Sequence, residues 1–327
     1  MGCKVLPGNR PESIRLAAEI IRSGGLVAFP TETVYGLGCD ALNPDGAAKV
    51  FEAKQRPRFD PLIVHLANRA MVEAVVKSVP AAADWLMDAF WPGPLTLILP
   101  KQPIVPDLVT AGLPTVAVRI PDHPVAQALI RESGTPIAAP SANPFGYVSP
   151  TTAQHVSDGL GDRVDLILDG GPCPVGVEST ILSLAGVRPE LLRPGSLSLE
   201  TIQSVIGPVD RGVLSAESMH VPGQSVRHYA TRTPVTILKT PGSWPVSQPS
   251  ERIGLVAMSI PSDVAGRFHA VEVLSQSGDL REVARHLFAA LRRLDALGLD
   301  RIYAEPCAEQ GLGLAIMDRL RRCAAPS

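Results

Sequence analysis

Two short phrases carry the densest chemistry in this chain, Lys54-Gln55-Arg56 and Ser141-Ala142-Asn143. Phosphate binding needs positive charge, donors that converge on several oxygens, and walls that keep competing water out. Lys54 and Arg56 supply the charge. In a strand or extended loop the intervening Gln55 would set both on one face, reaching into one cleft. Ser141 and Asn143 repeat that spacing with a hydroxyl and an amide, neutral groups suited to phosphate, ribose or a metal-bound water. Two plainer readings stand beside these, a solvated Lys-x-Arg pair and a Ser-x-Asn turn.

The elements that must position these phrases follow an α/β rhythm of short apolar runs alternating with helical patterns. In the opening unit Pro11 begins a helix, Ile14, Ala17, Ala18 and Ile21 form its stripe, and Gly24-Gly25 ends it before the buried run Leu26 to Phe29. Further strands are expected at Leu62–Leu66, Leu95–Leu99, Thr115–Ile120, Pro136–Ala139, Val164–Leu168 and Ser179–Leu184. Helices are expected at Asp45–Ala53, Ala70–Val76, Ala81–Phe90 and Pro124–Glu132. Periodicity fades between Gly207 and Thr233, which reads as a linker. A second α/β unit then begins at Pro234, with strands at Val235–Leu238, Ile253–Met258, Ala270–Leu274 and Arg301–Ala304, a helix at Leu280–Ala296, and a final helix. Gly311-Leu312-Gly313 opens that last helix, but Ile316 stands where a dinucleotide fingerprint requires its third glycine. Residues 10–200 thus form one domain, 201–233 a linker, and 234–327 a smaller Rossmann-like domain.

With 327 residues the chain is long enough for two domains of about 100–200 residues each. Hydrophobic residues at 45% and charged ones at 19% exclude disorder and a long coiled coil. A net charge of -2 argues against an extended nucleic-acid surface and leaves room only for a local basic cleft. The five cysteines include no Cys-x-x-Cys pair, so neither a zinc ribbon nor a disulfide framework is expected. No secretory leader or membrane-length apolar run is seen, so a cytoplasmic location without membrane contact is expected.

The segment Pro30-Thr31-Glu32-Thr33-Val34-Tyr35-Gly36-Leu37-Gly38 follows a buried strand, at the strand end where α/β proteins bind ligands. Its threonines could equally serve a turn. After it come Lys54-Gln55-Arg56-Pro57, Pro61-Leu62-Ile63-Val64-His65, Trp91-Pro92-Gly93-Pro94-Leu95-Thr96, Val118-Arg119-Ile120-Pro121, Ala139-Pro140-Ser141-Ala142-Asn143, Glu178-Ser179-Thr180-Ile181 and Arg193-Pro194-Gly195. In this order the phrases closely resemble the YrdC-like threonylcarbamoyl-adenylate synthases, in their long form with an added C-terminal domain.

The resemblance implies a twisted, open, mixed sheet flanked by helices, and an enzyme joining L-threonine, bicarbonate and ATP into threonylcarbamoyl-AMP with release of pyrophosphate. The product would pass to a tRNA threonylcarbamoyl transferase complex. By position in the family pattern, Thr33, His65, Arg119, Ala139 and Ser179 match L-threonine contacts. Arg119 suits a carboxylate chemically as well. Nucleotide contacts match Lys54, Arg56, Asp60, Thr115, Ser141, Asn143, Ser149 and Arg193, with Tyr229 closing over ATP from a lid-like linker. Lys54, Arg56, Ser141 and Asn143 form the catalytic set, Mg²⁺ is expected with ATP, and no organic cofactor is expected. On this reading, alanine at Lys54 or Arg56 removes adenylate formation while thermal stability hardly changes.

Two departures stand out: Asp60, where many relatives have asparagine, and Thr231, where proline often follows the alanine of His228-Tyr229-Ala230. An RNA-binding module of the same fold, with weak RNA contact, and a carbamoyl-phosphate-dependent carbamoyltransferase are the alternatives.

Overall fold

The structure, a computed structural model, describes residues 3–57, 60–212, 229–244, 251–259 and 266–325. Eleven strands form the larger sheet: β1 (Lys4–Pro7), β2 (Val27–Phe29), β3 (Gly36–Asp40), β4 (Ile63–His65), β5 (Leu95–Pro100), β6 (Thr115–Arg119), β7 (Ile137–Ala138), β8 (Leu166–Asp169), β9 (Thr180–Ser183), β10 (Glu190–Arg193) and β11 (Asp210–Arg211). Their order is β1-β8-β2-β3-β7-β4-β6-β5-β9-β10-β11. The sheet is mixed: β1, β8 and β2 run parallel, β2, β3, β7 and β4 are antiparallel neighbours, and from there β4 is parallel to β6, β6 antiparallel to β5, and β5 parallel to β9. Strand alternation then puts Ile63 and His65, Ala117 and Arg119, and Ile98 and Thr96 on shared faces. Ile63, Ile98, Ala117 and Ile181 make a small apolar cluster on this sheet.

One face of the sheet is closed by the helices Pro11–Arg22 and Pro124–Ser133, which bury Ile14, Ala17, Ala18, Ile21, Leu129 and Ile130. The helix Pro44–Lys54 enters through Asn43, whose side chain caps the amides of Asp45 and Gly46, and buries Val50 and Phe51 in the main core. The helix Leu199–Ile206 packs on Ala81–Phe90, and β11 extends the large sheet, so the chain as far as Arg211 is integrated with the first unit.

The second sheet holds β12 (Val235–Ile237), β13 (Ile253–Ala257), β14 (Ala270–Val273) and β15 (Arg301–Ala304), all parallel, in the order β12-β15-β13-β14. Helices Leu280–Asp295 and Leu312–Cys323 bury Leu287, Phe288, Leu291, Ile316 and Leu320 against it. Gly313 has a packing role here: a Cβ on it would lie 1.9 Å from the Ala308 carbonyl oxygen. The two units share a core, because Val34, Val148 and Val177 of the first join the apolar cluster of the second. Polar contacts reinforce the seam, with the Tyr147 hydroxyl donating to Asp295 at 2.7 Å and Arg285 Nε donating to the Pro174 carbonyl at 2.7 Å.

Sequence and fold part company at two elements that bear on the site. The Pro30–Gly38 phrase is only partly a turn, since Gly36 already begins β3 and pairs with Phe29. Lys54-Gln55-Arg56 is not extended: Lys54 closes a helix and Gln55 takes a left-handed φ of 54° as its C-cap. That cap turns the chain sharply, so the two cations do not project side by side.

Candidate active site

A cleft opens where the ends of β2, β4, β6 and β9 meet the 139–141 loop. Its lining includes Thr31, Thr33, Arg56, His65, Arg119, Ala139, Ser141, Glu178, Ser179, Arg193 and Tyr229. The water-accessible space deep in the cleft is about 40 Å³, room for a few waters at about 10–15 Å³ each, and the cleft is open to solvent.

Arg119 organises one end. It is buried at the close of β6, where Nε donates to the Gly93 carbonyl at 3.1 Å and Nη1 to Thr33 Oγ1 at 3.0 Å. Its Nη2 forms an ion pair with Glu32 Oε1. That pair is close without being aligned, and Arg119 Nη2 and both Glu32 oxygens lack a hydrogen-bond partner among the described residues. Buried groups with unused bonding capacity are costly unless function retains them. Thr31 holds Thr33 in place, its hydroxyl 2.8 Å from that of Thr33 and donating to the Val34 carbonyl at 2.7 Å.

His65 lies beside Arg119 at the end of β4, its ring edge-on to Phe29. Its Nδ1 is 3.2 Å from the Ile63 carbonyl oxygen, and the Ile137 backbone also hydrogen-bonds the ring. Burial, and then the Arg119 charge, pull its pKa down to about 3. The ring is therefore neutral at physiological pH, while the unfolded chain takes up a proton near the usual value of about 6.5. Stability must fall as pH drops below that value. His65→Gln is expected to shrink the stability lost between about pH 6.5 and about pH 4.5 by about 2 kcal/mol. Denaturant titrations at both pH values check this, and equal losses in the two proteins would mean that the ring is charged.

The opposite end is cationic. Arg56 Nη2 reaches Asp60 Oδ1 at 2.7 Å and donates to the Pro61 carbonyl at 2.9 Å. Asp60 serves this buried pair and does not line the cleft, which answers the difficulty of an acid beside phosphate. Arg193 donates to the Ser179 carbonyl at 2.9 Å and to Ser179 Oγ at 3.1 Å, and Thr96 Oγ1 lies 2.7 Å from the same hydroxyl. Gly195 permits this crossing, since a Cβ there would come within 2.2 Å of the Thr180 nitrogen.

Lys54 and Asn143 sit behind the cleft wall. Lys54 Nζ donates to the carbonyls of Ser141 and Asn143, the latter at 2.5 Å. Burial first, then neighbouring Arg56, holds its pKa well below the ordinary lysine value, with Asp60 opposing. Asn143 donates through Nδ2 to the Pro144 and Tyr147 carbonyls, both at 2.8 Å. These two residues brace the loop that presents Ser141. With Lys54 inside the core, the expectation of unchanged stability in its alanine variant no longer holds. Thr115 begins β6, on the face of Arg119 but outside the lining, and Ser149 donates to Glu178 Oε1 at 2.6 Å.

Three functional candidates escaped sequence reasoning as individuals. Glu32 and Glu178 each adjoin a position, Thr33 or Ser179, that the family resemblance assigns to threonine, and that adjacency was the available signal. Arg319 gave none, since basic residues near a helix C-terminus are ordinary. Yet Arg319 is fully buried, and its Nε donates to Glu178 Oε2 at 2.8 Å. Its guanidinium carbon lies 5.1 Å from the Tyr229 ring, which stacks on Phe288 at 5.4 Å. The lid expectation falls mainly on residues 213–228, outside the described residues. Tyr229 itself is buried and lines the cleft.

Among the described residues, no group of three or more His, Cys, Asp or Glu side chains converges as metal ligands. Glu178, the acid in the lining, is engaged by Arg319. These residues do not fit a protein-held Mg²⁺. No described helix is long and apolar enough to cross a membrane.

Comparison with known proteins agrees with this architecture. The Sua5/YciO/YrdC family profile, described as telomere recombination, matches residues 19–195, and the profile of the threonylcarbamoyl-AMP synthase C-terminal domain matches 197–325. A threonylcarbamoyl-AMP synthase of Bacillus subtilis is 46% identical over 98% of this chain and 94% of its own length. Another, from Pyrococcus abyssi, is 44% identical over 94% of this chain and 93% of its own. The crystal structure of P. abyssi Sua5 complexed with L-threonine superposes with a TM-score of 0.91 at 42% identity, covering 98% of this chain and 97% of that one. By both of its domains and by its fold, this chain belongs to the threonylcarbamoyl-AMP synthase family.

Proposed function

We propose that the cleft joins L-threonine, bicarbonate and ATP into threonylcarbamoyl-AMP, a donor for threonylcarbamoylation of tRNA adenosine by a separate transferase. The observation that carries this reading is the polarity of the cleft. One end presents Arg119 and Thr33, complementary to an amino acid's carboxylate and hydroxyl, with Glu32 holding Arg119 from outside the lining. The other gathers Arg56, Ser141 and Arg193, suited to phosphate oxygens.

The neutral threonine amine attacks the carbon of bicarbonate and water leaves, carrying away one amine hydrogen, to give a carbamate. A carbamate oxygen then attacks the α-phosphorus of ATP as the bond to pyrophosphate breaks. Both reactants are anions, so fixed guanidinium charge and orientation lower the barrier most. Neutral His65 adds shape and hydrogen bonding without adding charge. Magnesium would enter already bound to the triphosphate, in keeping with the lack of a convergent acidic ligand set among the described residues.

Pyrophosphate release is the test. It is expected only when ATP, threonine and bicarbonate are all present. Release without threonine, consumption of carbamoyl phosphate instead, or salt-sensitive RNA binding without any release would each overturn the assignment.

A further inference from the structure

The cleft belongs to the first domain, yet one charge that sets its electrostatics comes from the second. Glu178 lines the cleft beside Ser179, and it is the only acid in that lining among the described residues. A carboxylate facing bound anions repels them unless it is neutralised. Arg319, from the helix Leu312–Cys323, supplies that neutralisation through the Nε to Oε2 contact at 2.8 Å, with both side chains buried. Glu178 in turn accepts from Ser149 through Oε1, so a single carboxylate ties together the 149 and 178–179 segments.

We propose that Arg319 is a positioning residue through which the C-terminal domain completes the catalytic cleft, cancelling the charge of Glu178 and fixing the wall that carries Ser149 and Ser179. The residues facing the pair from each packed element fit this role. Glu178 meets Arg319, Arg193 and Ser149; Arg319 meets Glu178, Asp318 and the ring of Tyr229, and Asp318 is shared with Arg322. Burial raises the Glu178 pKa, but Arg319, Arg193 and the Ser149 hydrogen bond more than offset it and hold the carboxyl at about 2. Without Arg319, burial is opposed only by Arg193 and Ser149, so the pKa rises and an ionised, less compensated carboxylate meets ATP.

The proposal rests on the synthase reading of the cleft, and the test separates the two. Full-length wild type, Arg319→Met, Glu178→Gln and the double variant are assayed for pyrophosphate release against ATP and threonine between about pH 6 and about pH 8. Arg319→Met is expected to raise KM for ATP about tenfold at the alkaline end. That deficit shrinks on acidification, as Glu178 becomes protonated. Glu178→Gln keeps an oxygen for Ser149 and removes the charge, so the double variant is expected to regain KM within about threefold of wild type with a flat pH profile.

A structural strut alone predicts otherwise: a deficit independent of pH and no recovery in the double variant. Either result overturns the proposal, as does an Arg319→Met protein indistinguishable from wild type. Should Arg319→Met fail to fold, the double variant decides, and a double variant that is also unfolded, or folded with poor ATP affinity, overturns it too. If wild type itself releases no threonine-dependent pyrophosphate, the synthase reading fails instead.

Discussion

Arg119→Ala is expected to lower kcat/KM for threonine by about 10²–10³-fold, because losing one partner of a buried, hydrogen-bonded charge pair with a bound molecule costs about 2–5 kcal/mol of binding. The loss has two parts. On the proposed reading the substrate carboxylate loses its guanidinium partner, and buried Glu32 loses its ion-pair partner in the same corner. Thr33 also loses the donor that fixes its hydroxyl. Arg119→Lys should recover little, since an ammonium cannot reach Gly93, Thr33 and Glu32 together in the way a planar fork does. Calorimetric titration with threonine checks the prediction. An unchanged dissociation constant in a folded Arg119→Ala protein would remove Arg119 from the substrate site.

Lys54→Ala is expected to fail by a different route, through the fold. Lys54 Nζ donates to the carbonyls of Ser141, part-buried and also bonded by the Asn143 amide, and of Asn143, buried, and truncation removes both of these hydrogen bonds. At about 1.5 kcal/mol or more for each hydrogen bond to a charged group, the loss is about 3 kcal/mol. For a unit of this size that is a fall in melting temperature of about 6–12 °C. Activity falls with it, because Ser141 loses its fixed place in the cleft. Thermal melting beside pyrophosphate release separates this from direct phosphate contact. A variant that melts like wild type but is inactive would return Lys54 to the substrate.

Much of the fold was legible because its elements are long or strongly patterned. The helix Ala81–Phe90 and the strand Arg301–Ala304 were read at their observed bounds, and the helix Leu280–Asp295 within one residue. The apolar stripe of a helix and the buried run of a strand are local properties. Less legible were β1, β10, β11 and the helix Ala153–Leu160, short pieces whose pattern is too brief to stand out. In sequence the glycine-rich β3 reads as part of a ligand-binding segment whose glycines permit close backbone approach, whereas in the fold Gly38 is required because a Cβ would lie 2.7 Å from the Phe29 ring.

The order of phrases from Pro30 to Gly195 determined the family, the α/β class and the neighbourhood in which the chemistry must lie. Residue types and spacing hold that much, since charge, hydroxyls and turn-forming residues are properties of the chain itself. Tertiary structure decided the direction of each side chain. Lys54 and Arg56 part company because a helix ends between them, and Asp60 answers Arg56 instead of facing phosphate. Glu178 meets Arg319 across 141 positions of sequence. Such a pairing depends on how two folded units pack, and no local pattern encodes it.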